Sequence, residues 1–230
     1  MKIIHQIFIS DHDQPLSDHV KKTTIKLREI YHDFEYHLYN DKDITIFLKK
    51  YFDQSVLLAY KKCNPYAFKA DLVRYCLLYV FGGYYFDITI CPELNLYFEH
   101  DAVLFKGITN KSLTNNYPIL ENAAMFFKSP KHDFLKRAIE KCVENINTHN
   151  YGRHPLDITG PMMLYNIPHS DIKTYDVEII DEEMWSIINN KKFFKFKPKK
   201  YQSGLNHFGC VGTNSYEEMW FSKTVFKGKL

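Results

Sequence analysis

Three charged residues stand in apolar surroundings. Asp71 and Arg74 lie within one long apolar stretch, and Asp87 ends a second one. Helical spacing would place Asp71 and Arg74 on one face, where they either pair with each other or bind a ligand. A plain surface ion pair is the alternative, but a stretch that is apolar on nearly every side is expected to be buried. Buried groups of this kind suit a polar, charged ligand.

Asp87 is the third member of this set. Strand alternation puts it on the same side as Tyr85 and Thr89. A carboxylate at the end of a buried strand is costly unless it binds something, and open α/β sheets bind ligands at the carboxyl ends of their strands. Asp87 is therefore a candidate site residue. The alternative is that it only caps the following turn.

The elements that must position these residues are adjacent along the chain. The sequence predicts a helix over 65–81, with Asn64 as its N-cap and Pro65 at its first position. Gly82 and Gly83 would end the helix. Residues 84–90 then form a β-branched and aromatic strand. Helix, double glycine and strand in this order indicate an α/β protein.

Further patterns predict short elements on both sides of this unit. The predicted strands are Ile3–Ile9, Tyr36–Tyr39, Ala102–Phe105, Ala123–Phe127, Val177–Ile180 and Phe193–Phe196. The predicted helices are 17–33, Ile44–Tyr51 and Pro130–Asn145. No composition shift marks a linker, so residues 1–230 are predicted to form a single domain.

The composition is that of an ordinary folded protein. Hydrophobic residues make up 45% of the 230 residues and charged residues 25%. Five cysteines without a CxxC pair indicate neither a disulfide framework nor cysteine-bound zinc. No apolar run approaches the roughly 20 residues that span a bilayer, and the N-terminus lacks the features of a signal peptide. We therefore expect a cytoplasmic protein.

One block of the chain is strongly basic. Residues 191–200 carry six lysines and no acid, and without them 24 basic residues stand against 27 acidic ones. The whole chain is therefore not of a nucleic-acid-binding type by charge. The favoured interpretation of the block is an amphipathic edge strand whose lysines deter aggregation. The alternative is contact of Lys191–Lys200 with anionic lipid at a membrane surface or with a polyanionic acceptor.

The segment from Ala67 to Ile90, AFKADLVRYCLLYVFGGYYFDITI, resembles the signature of glycosyltransferases with a DXD sugar-nucleotide site. The similarity is to the family of yeast initiating α-mannosyltransferases, bacterial capsular sugar transferases and clostridial-toxin glucosyltransferases. The matching residues are Asp71, Arg74, Tyr75, Gly82, Gly83, Tyr85 and Asp87. Weaker similarities lie at 2–8, at 122–135, at Thr159-Gly160-Pro161, and at 207–209 with Trp220.

The resemblance implies a GT-A (Rossmann-like) fold with a mixed, mainly parallel sheet flanked by helices. It implies transfer of a hexose, with retention of configuration, from a UDP- or GDP-linked donor to a glycan, glycoprotein or glycolipid acceptor in glycan biosynthesis. Asp71, Arg74 and Asp87 are the implied catalytic residues. Arg74 would hold sugar hydroxyls or the diphosphate, Asp71 would orient the donor sugar, and Asp87 would bind the ribose and a metal.

The resemblance also implies a set of nucleotide-sugar-binding residues. They are His5, Gln6, Ile7, Phe8, Asp71, Arg74, Tyr85, Phe86, Asp87, Asn122, Thr159 and Gly160. The opening strand, around His5–Phe8, would lie near the nucleoside base. For His5, a hydrogen bond to the backbone is the alternative.

One position departs from the family pattern. The second Asp of the DXD motif is Thr89 here. In the family this position ligates the Mn²⁺ or Mg²⁺ that bridges the donor diphosphate, and a hydroxyl is a poorer ligand for such ions. Either Asp87 and the diphosphate hold the metal with help from His207, or a cation such as lysine replaces the metal, or activity is lost. The first alternative is favoured, so Asp87, His207 and Thr89 are the predicted metal-site residues.

Two rival functions accompany this prediction. Thr89 motivates a catalytically impaired relative that still binds a nucleotide sugar or carbohydrate. The interleaved lysines and aromatics of 191–200 motivate a nucleic-acid-binding module. One short basic block is weak support for the latter, and no nucleic-acid partner is expected.

Overall fold

The computed structural model describes residues 2–11, 15–109, 116–196 and 214–228. Within these ranges the chain is a mixed α/β structure built on one eight-stranded sheet. The strands are β1 (Ile3–Ile7), β2 (Glu35–Tyr39), β3 (Gly83–Phe86), β4 (Ala102–Lys106), β5 (Leu120–Phe127), β6 (Lys173–Ile180), β7 (Glu183–Ile188) and β8 (Lys191–Phe196). The helices are α1 (Asp18–Ile30), α2 (Asp41–Tyr51), α3 (Gln54–Lys62), α4 (Tyr66–Phe81), α5 (Asp133–Asn147), α6 (Pro161–Tyr165) and α7 (Tyr216–Phe221).

The sheet confirms the predicted α/β class and its mixed strand directions. The strand order is β2-β1-β3-β5-β4-β6-β7-β8. In the described residues β1 pairs in parallel with β2 and β3, and β4 pairs in parallel with β6. The other four pairings are antiparallel. The sheet is therefore mixed, and in the described residues only β5 and β7 run against the direction shared by the other six strands.

Apolar cores lie on both faces of the sheet. Tyr85 faces a core shared with α2, α3, α4 and α5, whereas Tyr84 and Phe86 face a second core that includes Leu27 of α1. The alternation predicted for the strand after the double glycine is thus present in β3. Because both faces are covered, β3 is buried along its whole length. No helix in the described ranges is long and apolar enough to cross a bilayer.

Helix α4 is the predicted central helix, with one correction at its start. The residue before its first turn is Pro65, and Asn64 does not cap it. The first amide, that of Tyr66, instead donates to the Asn214 side chain at 2.7 Å. The amide at the start of α4 is therefore satisfied by Asn214, which is distant in sequence, and not by the neighbouring Asn64.

Strand β3 is shorter than predicted, and this moves Thr89. The strand ends at Phe86, and the Ile90 amide donates to the Asp87 carbonyl at 2.8 Å, which closes a turn. Asp87 thus lies just beyond the strand, where its amide donates to the Ala123 carbonyl at 2.7 Å. The prediction that Thr89 continues the alternation of the strand was wrong, because the chain has already turned.

Four of the described elements were not predicted from the sequence: α3, α6, α7 and β7. Helix α3 has an Asp53 N-cap and a buried apolar side, which could have been found. Strand β8 lies at one end of the sheet, as the edge-strand interpretation of the lysine-rich block predicted. Its register shifts opposite β7, and Phe193 and Phe194 are both buried, so the block does not alternate regularly.

The double glycine allows α4 to turn directly into β3. Gly82 and Gly83 have φ angles of +64° and +92°. A Cβ on Gly83 would lie 2.7 Å from the Ile3 carbonyl oxygen, and on Gly82 2.9 Å from that of Phe127. Both glycines are therefore required by backbone conformation and by close contact with neighbouring strands.

We expect Gly83→Ala to destabilise the protein by about 2–4 kcal/mol, because the substitution adds strain at positive φ and a clash with β1. Urea unfolding followed by circular dichroism measures this change. Gly228→Ala is the matched control, since no atom lies within 4 Å of the added Cβ. Equal midpoints for the two variants would contradict the argument.

Candidate active site

The Arg74 guanidinium joins the three predicted catalytic residues. Its Nη2 lies 3.1 Å from Asp71 Oδ1 and its Nη1 lies 3.0 Å from Asp87 Oδ1. Nη1 also donates to the Asn122 carbonyl at 2.8 Å. The ring of Tyr85 lies beneath the guanidinium, 4.7 Å from Cζ. Arg74 is only 4% exposed, so its charge is held by protein groups rather than by water.

Asp71 is held from two further sides by residues that the resemblance singled out. Thr159 Oγ1 donates to Oδ2 at 2.7 Å, and Asn122 Nδ2 donates to Oδ1 at 2.8 Å. Burial raises the pKa of the Asp71 carboxyl, while Arg74 and the Thr159 hydrogen bond oppose this rise. Gly160 lies beside Asp71, where a Cβ would come within 3.5 Å of Oδ2.

Tyr75 connects Thr159 and Asn122, the two residues that donate to Asp71. Its hydroxyl donates to the Thr159 carbonyl at 2.8 Å and accepts from Asn122 Nδ2 at 2.7 Å. The buried network therefore links α4, β5 and the loop before α6. Such a network fixes the carboxylate in one orientation, because each polar group is satisfied by a partner on another element.

Asp87 is the more exposed acid of the set, with 34% of its side chain accessible. Its Oδ1 accepts the Tyr85 hydroxyl at 2.8 Å in addition to Arg74. Its backbone carbonyl accepts from Gln6 Nε2 at 3.1 Å, and Gln6 is in turn held by the Tyr36 hydroxyl. The hydrogen bond that closes the turn goes to the backbone carbonyl of Asp87, whereas its side chain binds Tyr85 and Arg74.

These residues border a cleft of about 440 Å³. Its described charged lining comprises Asp71, Arg74, Asp87, Glu121, Glu182, Glu183, Lys195 and Glu217. Asn122 also lines it, together with apolar side chains such as Phe68 and Ile119. A cleft with a few fixed charged groups among apolar walls has the form of a small-molecule site.

Not every predicted site residue reaches this cleft. Tyr85, Thr159 and Gly160 support the charged residues from behind, and Gln6 supports Asp87. Ile7, Phe8 and Phe86 are buried. Thr89 is half-buried in the turn and is not part of the described lining. His207 lies outside the described residues.

His5 is fully buried in β1 and is not part of the described cleft lining. Its Nε2 lies 3.0 Å from the Gly82 carbonyl, so that nitrogen donates. Its Nδ1, 3.1 Å from the Tyr39 hydroxyl, then accepts. Both ring nitrogens are occupied by the fold, which is the backbone-bonding alternative stated for this residue.

Sequence reasoning missed the far wall of the cleft. Glu121 directly precedes Asn122 on β5, Glu183 and Lys195 come from the β7–β8 hairpin, and Glu217 comes from α7. Their positions depend on long-range packing that no local pattern reveals. The adjacency of Glu121 to Asn122 is the one signal that could have been followed.

The described residues do not fit a divalent metal held by the protein. Among them, no three His, Cys, Asp or Glu side chains converge in a way that could hold an ion. Asp87 contributes one carboxylate, and a guanidinium already lies 3.0 Å from its Oδ1. Mg²⁺ and Mn²⁺ require several hard oxygen ligands, and Thr89 offers at most a hydroxyl.

Comparisons with known proteins confirm the resemblance. Residues 17–106 match the family described as glycosyltransferase sugar-binding region containing DXD motif. A 94-residue stretch is 34% identical to an uncharacterized glycosyltransferase of Acanthamoeba polyphaga mimivirus and covers 41% of this chain and 37% of that protein. Family and fold therefore support a glycosyltransferase.

A solved structure shares the fold. The PaToxG glycosyltransferase superimposes with a TM-score of 0.54 and 17% identity over 71% of this chain and 66% of that one. At this identity the similarity concerns the fold alone. The chain thus spans less than two thirds of the length of either relative.

The buried His5 makes a testable contribution to pH dependence. Burial lowers its pKa from 6.5 to about 4. Between pH 6.5 and pH 4 the unfolded chain binds a proton at this histidine and the folded chain does not. The free energy of unfolding therefore falls as the pH is lowered through this range. Between pH 7 and pH 5 we expect a loss of about 2 kcal/mol from this residue.

The measurement is the free energy of unfolding at several pH values. His5→Gln should flatten the slope between pH 7 and pH 5, whereas His100→Gln, at an exposed position, should leave it unchanged. An unchanged slope in His5→Gln would show that His5 does not enter the folded state as a neutral ring.

Proposed function

We propose that this chain transfers a hexosyl group from a UDP- or GDP-linked donor to a glycan, glycoprotein or glycolipid acceptor, with retention of configuration. One observation carries the proposal. Arg74 is bonded to both Asp71 and Asp87 at the wall of a cleft, inside the segment that matches the glycosyltransferase family. Fixed guanidinium and carboxylate groups of this kind suit a sugar diphosphate, which presents both hydroxyls and anionic oxygens.

In this proposal each charged residue has a distinct task. Asp87, at the exposed side of the set, accepts hydrogen bonds from the ribose. Asp71, held rigidly from three sides, accepts hydrogen bonds from the donor sugar and fixes its orientation. Arg74 holds both carboxylates in position. Such preorganised charges are effective because they need no rearrangement during the reaction.

The proposed reaction exchanges one bond at the anomeric carbon for another. The bond from this carbon to the diphosphate oxygen breaks, and its electron pair leaves with the nucleoside diphosphate. The acceptor hydroxyl oxygen bonds to the same carbon, and its proton passes to the departing diphosphate. The task of the protein is to stabilise the leaving anion and the cation-like sugar between the two events.

One observation favours a second candidate function, which is binding without catalysis. Thr89 replaces the second DXD aspartate, and in the described residues no three acidic, histidine or cysteine side chains form a metal-binding group. A relative that binds a nucleotide sugar without turning it over would retain Asp71, Arg74 and Asp87. Binding and turnover must therefore be measured separately.

Asp87→Asn is the variant that tests the proposal. Asparagine keeps an oxygen for the Tyr85 and Arg74 contacts but removes the charge. We expect the affinity for UDP- or GDP-sugar in calorimetry to fall about 10- to 100-fold, as for the loss of a charge-assisted hydrogen bond. Slow release of nucleoside diphosphate, followed by chromatography, should fall at least as much.

The matched control is Asp101→Asn, at an exposed acid outside the cleft. It should leave binding and release unchanged. Wild-type binding without release of nucleoside diphosphate would support the second candidate. No binding of any UDP- or GDP-sugar, with or without Mn²⁺, would contradict both.

A further inference from the structure

Lys195 reaches the donor cleft from a distant part of the chain. It lies on β8 and lines the same cleft as Asp87 and Arg74. We propose that the Lys195 ammonium binds the diphosphate of the donor and supplies the positive charge that a carboxylate-held metal would otherwise supply. This inference rests on the proposed function and names the group that recognises the donor phosphates.

The β7–β8 hairpin is attached to the chain just after Thr89. Phe194 forms an antiparallel bridge with Pro92, and the Glu93 amide donates to the Phe193 carbonyl at 2.7 Å. The Phe194 ring packs against Phe86, the last residue of β3, at 6.3 Å between ring centroids. Lys195 directly follows this attachment. The fold therefore places it beside the turn that carries Asp87 and Thr89.

The side chain of Lys195 is oriented before any ligand arrives. Its Nζ lies 2.6 Å from Glu183 Oε2 and 4.9 Å from the centroid of the Trp185 ring. The side chain is 28% exposed, so much of its stem is already ordered. An ammonium carries three N–H donors, and the Glu183 contact uses one of them. Little conformational entropy is then lost when a second anionic partner binds.

The described cleft lining carries six carboxylates and two cationic side chains, so an anionic donor depends on those two cations. Lys195 and Arg74 are the lysine and arginine side chains of its described lining. Arg74 is already shared between Asp71 and Asp87, so it leaves little charge for a phosphate. Thr89 cannot add a negative ligand that would recruit a divalent ion. The diphosphate therefore meets Lys195 as the cation not committed to two carboxylates.

The first test is the affinity for UDP and GDP in the presence of EDTA. Wild type should bind one of them without metal, and Lys195→Ala should bind it about 10- to 100-fold more weakly. The loss should be smaller for the corresponding nucleoside, which lacks the phosphates. Lys195→Arg should retain most of the affinity, which separates charge from packing.

Lys192→Ala is the matched control. Lys192 lies on the same strand, 5.0 Å from the same Trp185 ring, and pairs with Asp181 at 3.7 Å, but it is not part of the described cleft lining. It should bind nucleotide as wild type does. Melting temperatures of all variants show whether each is folded.

The metal dependence of wild-type binding tests the exchange of lysine for metal directly. Equal affinities of wild type and Lys195→Ala, or wild-type binding that requires Mn²⁺, would overturn this inference and leave the proposed function intact. Absence of any nucleotide binding would contradict the proposed function itself.

Discussion

The buried ion pair set of Arg74, Asp71 and Asp87 is the constraint on which the site depends. A guanidinium that is 4% exposed cannot remain without partners, and the buried Asp71 carboxylate would be an uncompensated charge without it. The helix and the strand that carry these groups must therefore keep one relative position. Asp71, Arg74 and Asp87 all line the cleft, so the contacts that stabilise the fold also determine the form of the proposed ligand site.

Segments distant in sequence supply further hydrogen bonds to Asp71 and Asp87. Thr159 and Asn122 come from the loop before α6 and from β5, and each donates to Asp71. Gln6, on β1, holds the carbonyl of Asp87. Strand β3 lies between β1 and β5, so Gln6 and Asn122 reach the site from its two neighbouring strands. The strand order explains why one helix and one strand can gather partners from so much of the chain.

The predictable part of the molecule is the part in which contacts are local. Helix α4, the double glycine and β3 follow one another, so Asp71, Arg74 and Asp87 were found from spacing and family resemblance. Thr89 was misplaced because a turn hydrogen bond, not the strand pattern, determines the path after Phe86. Lys195 was missed as a cleft residue, since its place depends on a bridge between Phe194 and Pro92. Sequence periodicity does not contain such a pairing.

The charges around Asp87 connect the replacement of the second DXD aspartate by Thr89 with the position of Lys195 on the β7–β8 hairpin. Two carboxylates and one guanidinium leave the described set with a net negative charge, which would repel a diphosphate unless another cation joins it. A second DXD aspartate would answer this need by adding a ligand for a divalent ion. Threonine removes that ligand and also removes one negative charge from the turn after β3. In the role proposed for it, the Lys195 ammonium would take the place of that metal, and it lies in the lining of the same cleft as Asp87.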